Sequence, residues 1–116
     1  YGRLYEFEII NNICPESWLA PSKGDYENLI SVVKENSNNL KEIGQGNDEG
    51  VGNNSSGFSA LLGGLRSGSG DYIEIGNKGI FHTTSTSAPP DWTCSDVMYI
   101  NNYNSQIGFD VSLYGW

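Results

Sequence analysis

Residues 57–66 read GFSALLGGLR, and residues 67–72 continue as SGSGDY. Four large apolar side chains stand among the glycines of this central stretch: Phe58, Leu61, Leu62 and Leu65. Glycine permits sharp turns and close approach of a second backbone, whereas side chains of this size favour burial. The central stretch, residues 57–66, therefore predicts a wall of the hydrophobic core. It matches no glycine-rich phosphate-binding fingerprint, so it is not a predicted phosphate site.

The composition predicts a single domain spanning residues 1–116. Six Lys and Arg against fourteen Asp and Glu give a net charge of −8, which disfavours nucleic acid and anionic membrane surfaces as partners. The sequence contains no run of eighteen apolar residues, so membrane insertion is not predicted. The 15 glycines and only 17% charged residues are typical of loop-rich domains outside cells, so we expect an extracellular or cell-surface location.

Two helices are predicted. Apolar residues recur at intervals of three from residue 4 to residue 13, which indicates a short amphipathic helix. The second begins at Ser22 as cap, with Asp25 favoured by the helix dipole, and runs to about Glu35. Its apolar face follows the spacing i, i+3, i+4, i+7: Tyr26, Leu29, Ile30 and Val33. Between the helices, Trp18 is predicted to anchor the core because large aromatic rings bury much area.

Four segments are predicted to form strands, and two of them, residues 71–75 and 107–114, alternate polar or small with apolar residues. Residues 71–75 and 80–85 flank a turn at 76–79 and predict a hairpin, in which His82 is a hydrogen-bonded strand residue and not a catalytic group. Residues 97–100 and 107–114 predict two more strands, the last with one buried face. Residues 36–56 are polar and glycine-rich and predict a long irregular loop.

The two cysteines, Cys14 and Cys94, permit one disulfide, and two free buried thiols are the alternative. Neither has the spacing of a zinc ligand, and one histidine cannot complete such a site. Asp48 and Glu49 lie in the long loop without the regularly spaced acids of a calcium site. No metal and no cofactor are therefore predicted.

Six sequence words carry a resemblance that spans nearly the whole chain: YGRLY at 1–5, CPESW at 14–18, AP at 20–21, GFSALLGGLR at 57–66, GIFHTTS at 79–85 and GFDV at 108–111. In this order they resemble the Fibrobacter succinogenes major paralogous domain family. The resemblance implies an α+β, C-type lectin-like fold, with two helices packed on a small antiparallel sheet and long loops.

Three departures from the family pattern matter. The family usually has tryptophan at the position of His82, proline at that of Leu62 and cysteine at that of Leu113, the last expected to bridge to the counterpart of Cys14. That bridge cannot form here, so the resemblance implies either a Cys14–Cys94 bridge, which we favour slightly, or two thiols.

The family also carries a strand before the YGRLY word, which pairs near the terminal strand and closes the domain. This chain begins at that word, so one expectation is a domain without the usual N-terminal strand. The resemblance therefore implies an open edge along residues 107–114. Open edges recruit other strands, and we expect another copy or another chain to complete the sheet there.

In lectin-like folds the long loops and late strands build the ligand surface, which the resemblance assigns to residues 91–106. Here aromatic rings can stack on sugar or peptide, and amides can pair donors with acceptors. The predicted ligand-binding residues are Trp92, Tyr99, Asn101, Asn102, Tyr103 and Asn104. The alternative is that Tyr99 belongs to the core and the asparagines merely form a turn.

The sequence favours a non-enzymatic, extracellular or cell-surface recognition module that binds a carbohydrate or protein ligand through these late loops. The Glu-Pro-Asn, Gln-Pro-Asp and Trp-Asn-Asp words of calcium-dependent sugar-binding lectins do not occur, and no base accompanies a nucleophile. The alternative is a structural or adhesive subunit of a surface appendage, which would self-assemble by strand pairing.

Overall fold

The computed structural model describes residues 3–87, 89–90 and 94–112. They form an α+β structure with one α-helix and two antiparallel sheets, which confirms the predicted class. The elements are α1 (Lys23–Val32), β1 (Leu65–Arg66), β2 (Tyr72–Ile73), β3 (Lys78–His82), β4 (Asp96–Asn101) and β5 (Ile107–Val111). Short 3-10 turns lie at Phe7–Ile9, Ser37–Asn39 and Asp48–Gly50.

The prediction of two helices is wrong. The segment from residue 4 to residue 13 forms only the 3-10 turn Phe7–Ile9. On its predicted apolar face Ile10 is buried, but Leu4 and Ile13 stay exposed. A spacing of three without a continuous buried stripe does not sustain an α-helix, since most helical stability in proteins comes from packing of that stripe. Within the described residues, no helix is long and apolar enough to cross a membrane.

The start of α1 follows the predicted capping. The Ser22 hydroxyl accepts a hydrogen bond from the Asp25 N–H (3.2 Å), and the Asp25 carboxylate accepts from the Ser22 N–H (2.8 Å). Aspartate thus closes a capping box that usually carries Glu or Gln. The bond from the Ser22 N–H favours the charged carboxylate and holds the pKa of Asp25 below its usual 3.8. The helix ends near Val33, slightly before the predicted residue 35.

The predicted hairpin between residues 71–75 and 80–85 is wrong. β2 pairs with β1, whereas β3 pairs with β4 and β4 with β5, all antiparallel. The central stretch takes the place of the predicted partner because Gly64 brings its backbone very close to residues 73–75. A Cβ at Gly64 would lie 2.7 Å from the Ile75 nitrogen, and its φ of +71° favours glycine.

The core lies between α1, the central stretch and the three-stranded sheet. Its buried members are Tyr26, Val33, Leu40, Ala60, Leu62, Met98 and Ile100. Leu62 and Leu65 are buried as predicted, whereas Phe58 and Leu61 are partly exposed, so only half of the predicted wall is interior. Trp18 is 72% exposed, which contradicts its prediction as a core anchor.

β5 is an edge strand that pairs only with β4 among the described strands. The Ser112 N–H donates to the Ser95 carbonyl oxygen (2.8 Å), which fixes the alternation of the ladder. The backbone groups of Ile107, Phe109 and Val111 consequently face away from β4. The outward N–H of Val111 donates to the carboxylate of Asp110 (2.8 Å).

Candidate functional site

The late loop, residues 101–106, joins β4 to β5 and contains four of the six predicted ligand-binding residues. Its shape is set locally by Asn101, whose side-chain oxygen accepts from the N–H groups of Tyr103 (3.2 Å) and Asn104 (3.1 Å). The Asn104 side-chain oxygen likewise accepts from the Gln106 N–H (2.9 Å). Asparagine commonly closes turns in this way, so the sequence itself favours a tight loop.

Three distant segments fix the backbone of the late loop. The Asn102 carbonyl oxygen accepts from the Asn47 N–H (2.7 Å), and the Asn102 N–H donates to the Asn77 carbonyl oxygen (2.9 Å). The Ser105 carbonyl oxygen accepts from the Ser37 N–H (2.8 Å). Main-chain groups therefore carry most of this attachment.

Gly50 permits the closest of these approaches. A Cβ built on Gly50 would lie 2.7 Å from the Tyr103 nitrogen and 2.5 Å from the Asn102 carbonyl carbon. Both are far inside the 3.4 Å at which ordinary Cβ contact begins. Any larger residue at this position would therefore push the loop segment 46–52 and the late loop apart.

Lys41 lies beneath the late loop, and its side chain is fully buried. Its Nζ donates to the Gly50 carbonyl (2.7 Å), the Asn104 carbonyl (2.8 Å) and the Asn38 side-chain oxygen (3.0 Å). Burial lowers the pKa of Lys41 to about 8. An ammonium has three N–H donors, and each of them has an acceptor here.

The structure brings Asn102, Tyr103 and Asn104 together at the tip of the late loop. The Tyr103 ring is 63% exposed, and both asparagines are half-buried. The Asn102 side-chain amide donates to the side-chain oxygen of Asn77 (3.1 Å), so a residue of the neighbouring turn joins this group. An exposed ring between two amides is the arrangement available to a ligand.

The other predicted residues lie elsewhere. Asn101 is buried and acts within the turn, as the alternative interpretation expected. The Tyr99 ring packs across Gly108 and lines a groove of about 960 Å³ between α1 and β5, away from the loop tip. Trp92 lies outside the described residues. The sequence had grouped these positions because they are close in the chain.

The groove between α1 and β5 combines helix side chains with the strand edge. One wall is formed by Glu27 and Ile30 of α1 and by Lys34 just after the helix, and the strand wall includes Ile107 and Phe109. Phe109 also receives the Lys23 ammonium over its ring, 5.0 Å from the ring centre. The groove is therefore lined by β5 residues whose backbone groups face away from β4.

A second cavity, of about 670 Å³, lies between the N-terminal segment and the central stretch. Cys14 and His82 line it, as do the rings of Phe58 and Phe81, which meet edge to face with centres 5.7 Å apart. The ring of His82 is hydrogen-bonded through Nδ1 to the Ser95 hydroxyl (3.1 Å), as predicted for a strand histidine. Cavity walls here are mainly apolar.

Both cysteines are free thiols in the structure, with Cys94 buried and Cys14 half-buried. Bridging between them stays a prediction. No cluster of three His, Cys, Asp or Glu side chains suited to a metal occurs within the described ranges.

The residues that sequence reasoning missed are those that hold the loop: Lys41, Gly50, Ser37 and Asn77. One signal was present, since an apolar Leu40 directly precedes Lys41 and marks the segment as partly interior. Glycine spacing alone does not say which backbone approaches Gly50. These contacts join positions far apart in sequence, so a local pattern does not indicate them.

Comparison with known protein families gives a match over nearly the whole chain. The family model of the Fibrobacter succinogenes major domain matches residues 1–111. No curated protein and no solved structure is similar enough to this chain to be matched. The matched range includes the central stretch, all five strands and the late loop. The chain therefore belongs to the Fibrobacter succinogenes major domain family.

Proposed function

We propose that this domain is a non-enzymatic recognition module with a C-type lectin-like fold, located outside the cell or on its surface. It binds a carbohydrate or protein ligand through the tip of the late loop. The single observation that carries the proposal is the exposed ring of Tyr103, flanked by Asn102 and Asn104 on a loop fixed by distant segments. Binding residues are commonly found on loops that a rigid scaffold positions.

The chemistry of this tip suits both ligand classes. A tyrosine ring supplies a flat apolar face with a polar hydroxyl, and amide side chains supply donors together with acceptors. Sugars and peptides present the same combination of apolar faces and hydrogen-bonding groups. Because the loop is already ordered by its main-chain bonds, binding would cost little additional conformational entropy.

A screen with two exposed tyrosines tests this proposal. The probes are an array of immobilised glycans and a library of displayed peptides, and the variants are Tyr103→Ala and Tyr72→Ala. The side chains are equally exposed, 63% and 65%, but Tyr72 lies in β2, outside the late loop. We expect bound probes to be lost with Tyr103→Ala and retained with Tyr72→Ala.

Two results would contradict recognition through the late loop. One is binding that survives Tyr103→Ala, with a circular-dichroism spectrum like that of the unmodified protein. The other is failure of the unmodified protein to bind any glycan or peptide in either screen. A loss caused equally by both variants would also remove the proposed site, because it would reflect a general surface effect.

The second candidate function is a structural or adhesive subunit of a surface appendage. It is favoured by the outward backbone groups of Ile107 and Phe109, which have no partner strand among the described residues. Unpaired N–H and C=O groups along an edge are a template for strand addition. Light scattering from micromolar to millimolar concentration tests it. Growth of large species supports a subunit, whereas a monomer throughout contradicts self-assembly.

A further inference from the structure

Lys41 is an unusual element of this fold because it is a fully buried lysine with no carboxylate partner. Lysine is almost never fully buried unless it is paired. Its Nζ is surrounded by neutral oxygens of Asn38, Gly50 and Asn104, and no described carboxylate lies within ion-pair distance of it. Such a costly placement indicates that the three hydrogen bonds serve a definite purpose.

The backbone at Lys41 is hydrogen-bonded to the central stretch. Lys41 forms a parallel bridge with Ala60, the Ala60 N–H donates to the Leu40 carbonyl (2.8 Å), and the Glu42 N–H donates to the Ala60 carbonyl (2.9 Å). Gly52 packs against the Lys41 side chain, where an added Cβ would lie 2.6 Å from the Lys41 Cβ. The Lys41 side chain is thus closely enclosed between the central stretch and Gly52.

The head of Lys41 joins segments that are distant in sequence. Gly50 is nine residues away and Asn104 is sixty-three residues away. Both bonds end on main-chain oxygens, so they act on backbone conformation. The Asn104 carbonyl has one further donor, the Ser37 hydroxyl at 3.4 Å, which is long for a hydroxyl bond. Removing the ammonium would therefore leave the Asn104 carbonyl oxygen with only this long hydrogen bond among those described.

We propose that Lys41 is the positioning residue of the late loop: its ammonium ties Asn104 to Gly50 and thereby sets the backbone on which Tyr103 is presented. The inference rests on the proposed function for the meaning of that loop as a binding surface. Lys41 itself touches no ligand.

The carboxylates near Lys41 are hydrogen-bonded elsewhere or exposed, so the protonation of Lys41 itself decides how many hydrogen bonds its side chain can donate. Glu42 accepts through its carboxylate from the Ile43 N–H (3.0 Å) and faces Asn54, while Asp48 and Glu49 are exposed. Burial lowers the pKa of Lys41 to about 8, so the ammonium becomes an amine within an accessible pH range. An amine has two N–H donors for three acceptors. The late loop should therefore loosen above pH 8.

The test compares Lys41→Met with Lys34→Met by backbone NMR of the whole chain at neutral pH. Lys34 is an exposed lysine just after α1, so it controls for the lost charge. We expect Lys41→Met to shift the amide signals of residues 47–50 and 102–106 and to speed their hydrogen exchange by roughly tenfold. Lys34→Met should leave them unchanged. A folded Lys41→Met variant with unshifted loop signals would overturn the proposal.

A titration of the unmodified protein remains decisive if Lys41→Met does not fold. The Lys41 Cε signal and the amide signals of Gly50 and Asn104 should change together, with a midpoint near pH 8. Loop amides that stay constant while Lys41 titrates would overturn the proposal. Neither measurement needs a ligand, so the positioning role and ligand binding by Tyr103 can fail separately. If a probe binds through Tyr103, its affinity should fall across the same titration.

Discussion

Substitution of Gly50 by alanine is the sharpest test of how the late loop is held. The new Cβ would lie 2.7 Å from the Tyr103 nitrogen, whereas ordinary contact begins at 3.4 Å. The two backbones must therefore separate by at least about 0.7 Å, the difference between these distances. Because the Lys41 ammonium bonds to both backbones, the same movement would stretch its bond to the Gly50 carbonyl (2.7 Å) or to the Asn104 carbonyl (2.8 Å) out of the normal hydrogen-bond range.

The expected cost combines a steric and a polar contribution. Overpacking of a tight contact costs about 1–3 kcal/mol, and weakening a hydrogen bond to a charged donor adds about 1.5 kcal/mol. We expect Gly50→Ala to lower the free energy of unfolding by about 3 kcal/mol. For a domain of this size that corresponds to a fall in Tm of roughly 10 °C. Thermal and urea unfolding followed by circular dichroism measure both quantities.

Gly44→Ala is the matched control because this glycine lies in the same region with nothing within 4 Å of an added Cβ. Its φ of +90° makes alanine strained, at a cost of about 1–2 kcal/mol. The NMR signals of the late loop should move in Gly50→Ala and stay in place in Gly44→Ala. Equal stability of Gly50→Ala and the unmodified protein, with an unchanged late loop, would refute the close approach and the argument built on it.

Two further predictions concern the scaffold. Leu62→Ala should lower the free energy of unfolding by about 2–5 kcal/mol because Leu62 is fully buried. Leu61→Ala should lower it far less, because Leu61 is 38% exposed. Equal losses measured by urea unfolding would contradict the assigned core. Burial alone would raise the pKa of Asp96, but bonds from the Ser87 N–H and hydroxyl and the nearby Lys23 hold it below 3.8. Its stabilising contribution is therefore present above about pH 4 and is lost as pH falls through the folded pKa, so urea unfolding at several pH values should show a weaker acid dependence in Asp96→Asn.

The sequence predicted features that depend on neighbours in the chain. Ser22 and Asp25 stand three residues apart and close the start of α1 by themselves, so the cap could be predicted. The apolar run of β4, the alternating residues of β5 and the turn-forming asparagine Asn101 are equally local signals. Such features need only propensity and short-range hydrogen bonding.

Features that depend on distant partners were not predictable in this way. Residues 71–75 alternate like a strand, but alternation does not select a partner, and Gly64 supplies a closer one than the expected return strand. Trp18 is large and apolar, yet its burial depends on whether another segment covers it. Lys41 shows the reverse case, since it lies in a segment predicted as a polar loop and the fold encloses its side chain.

The backbone shape of the late loop depends little on which side chain stands at position 103. Its attachments to other segments end largely on main-chain atoms, at the carbonyls of Asn102, Asn104 and Ser105. Replacing the Tyr103 side chain removes none of these groups, and its N–H would still reach the Asn101 oxygen. Tyr103→Ala should therefore unfold at nearly the same temperature as the unmodified protein. If the late loop binds a ligand as proposed, the side chain at position 103 can change, and the ligand with it, at little cost to the scaffold that positions it.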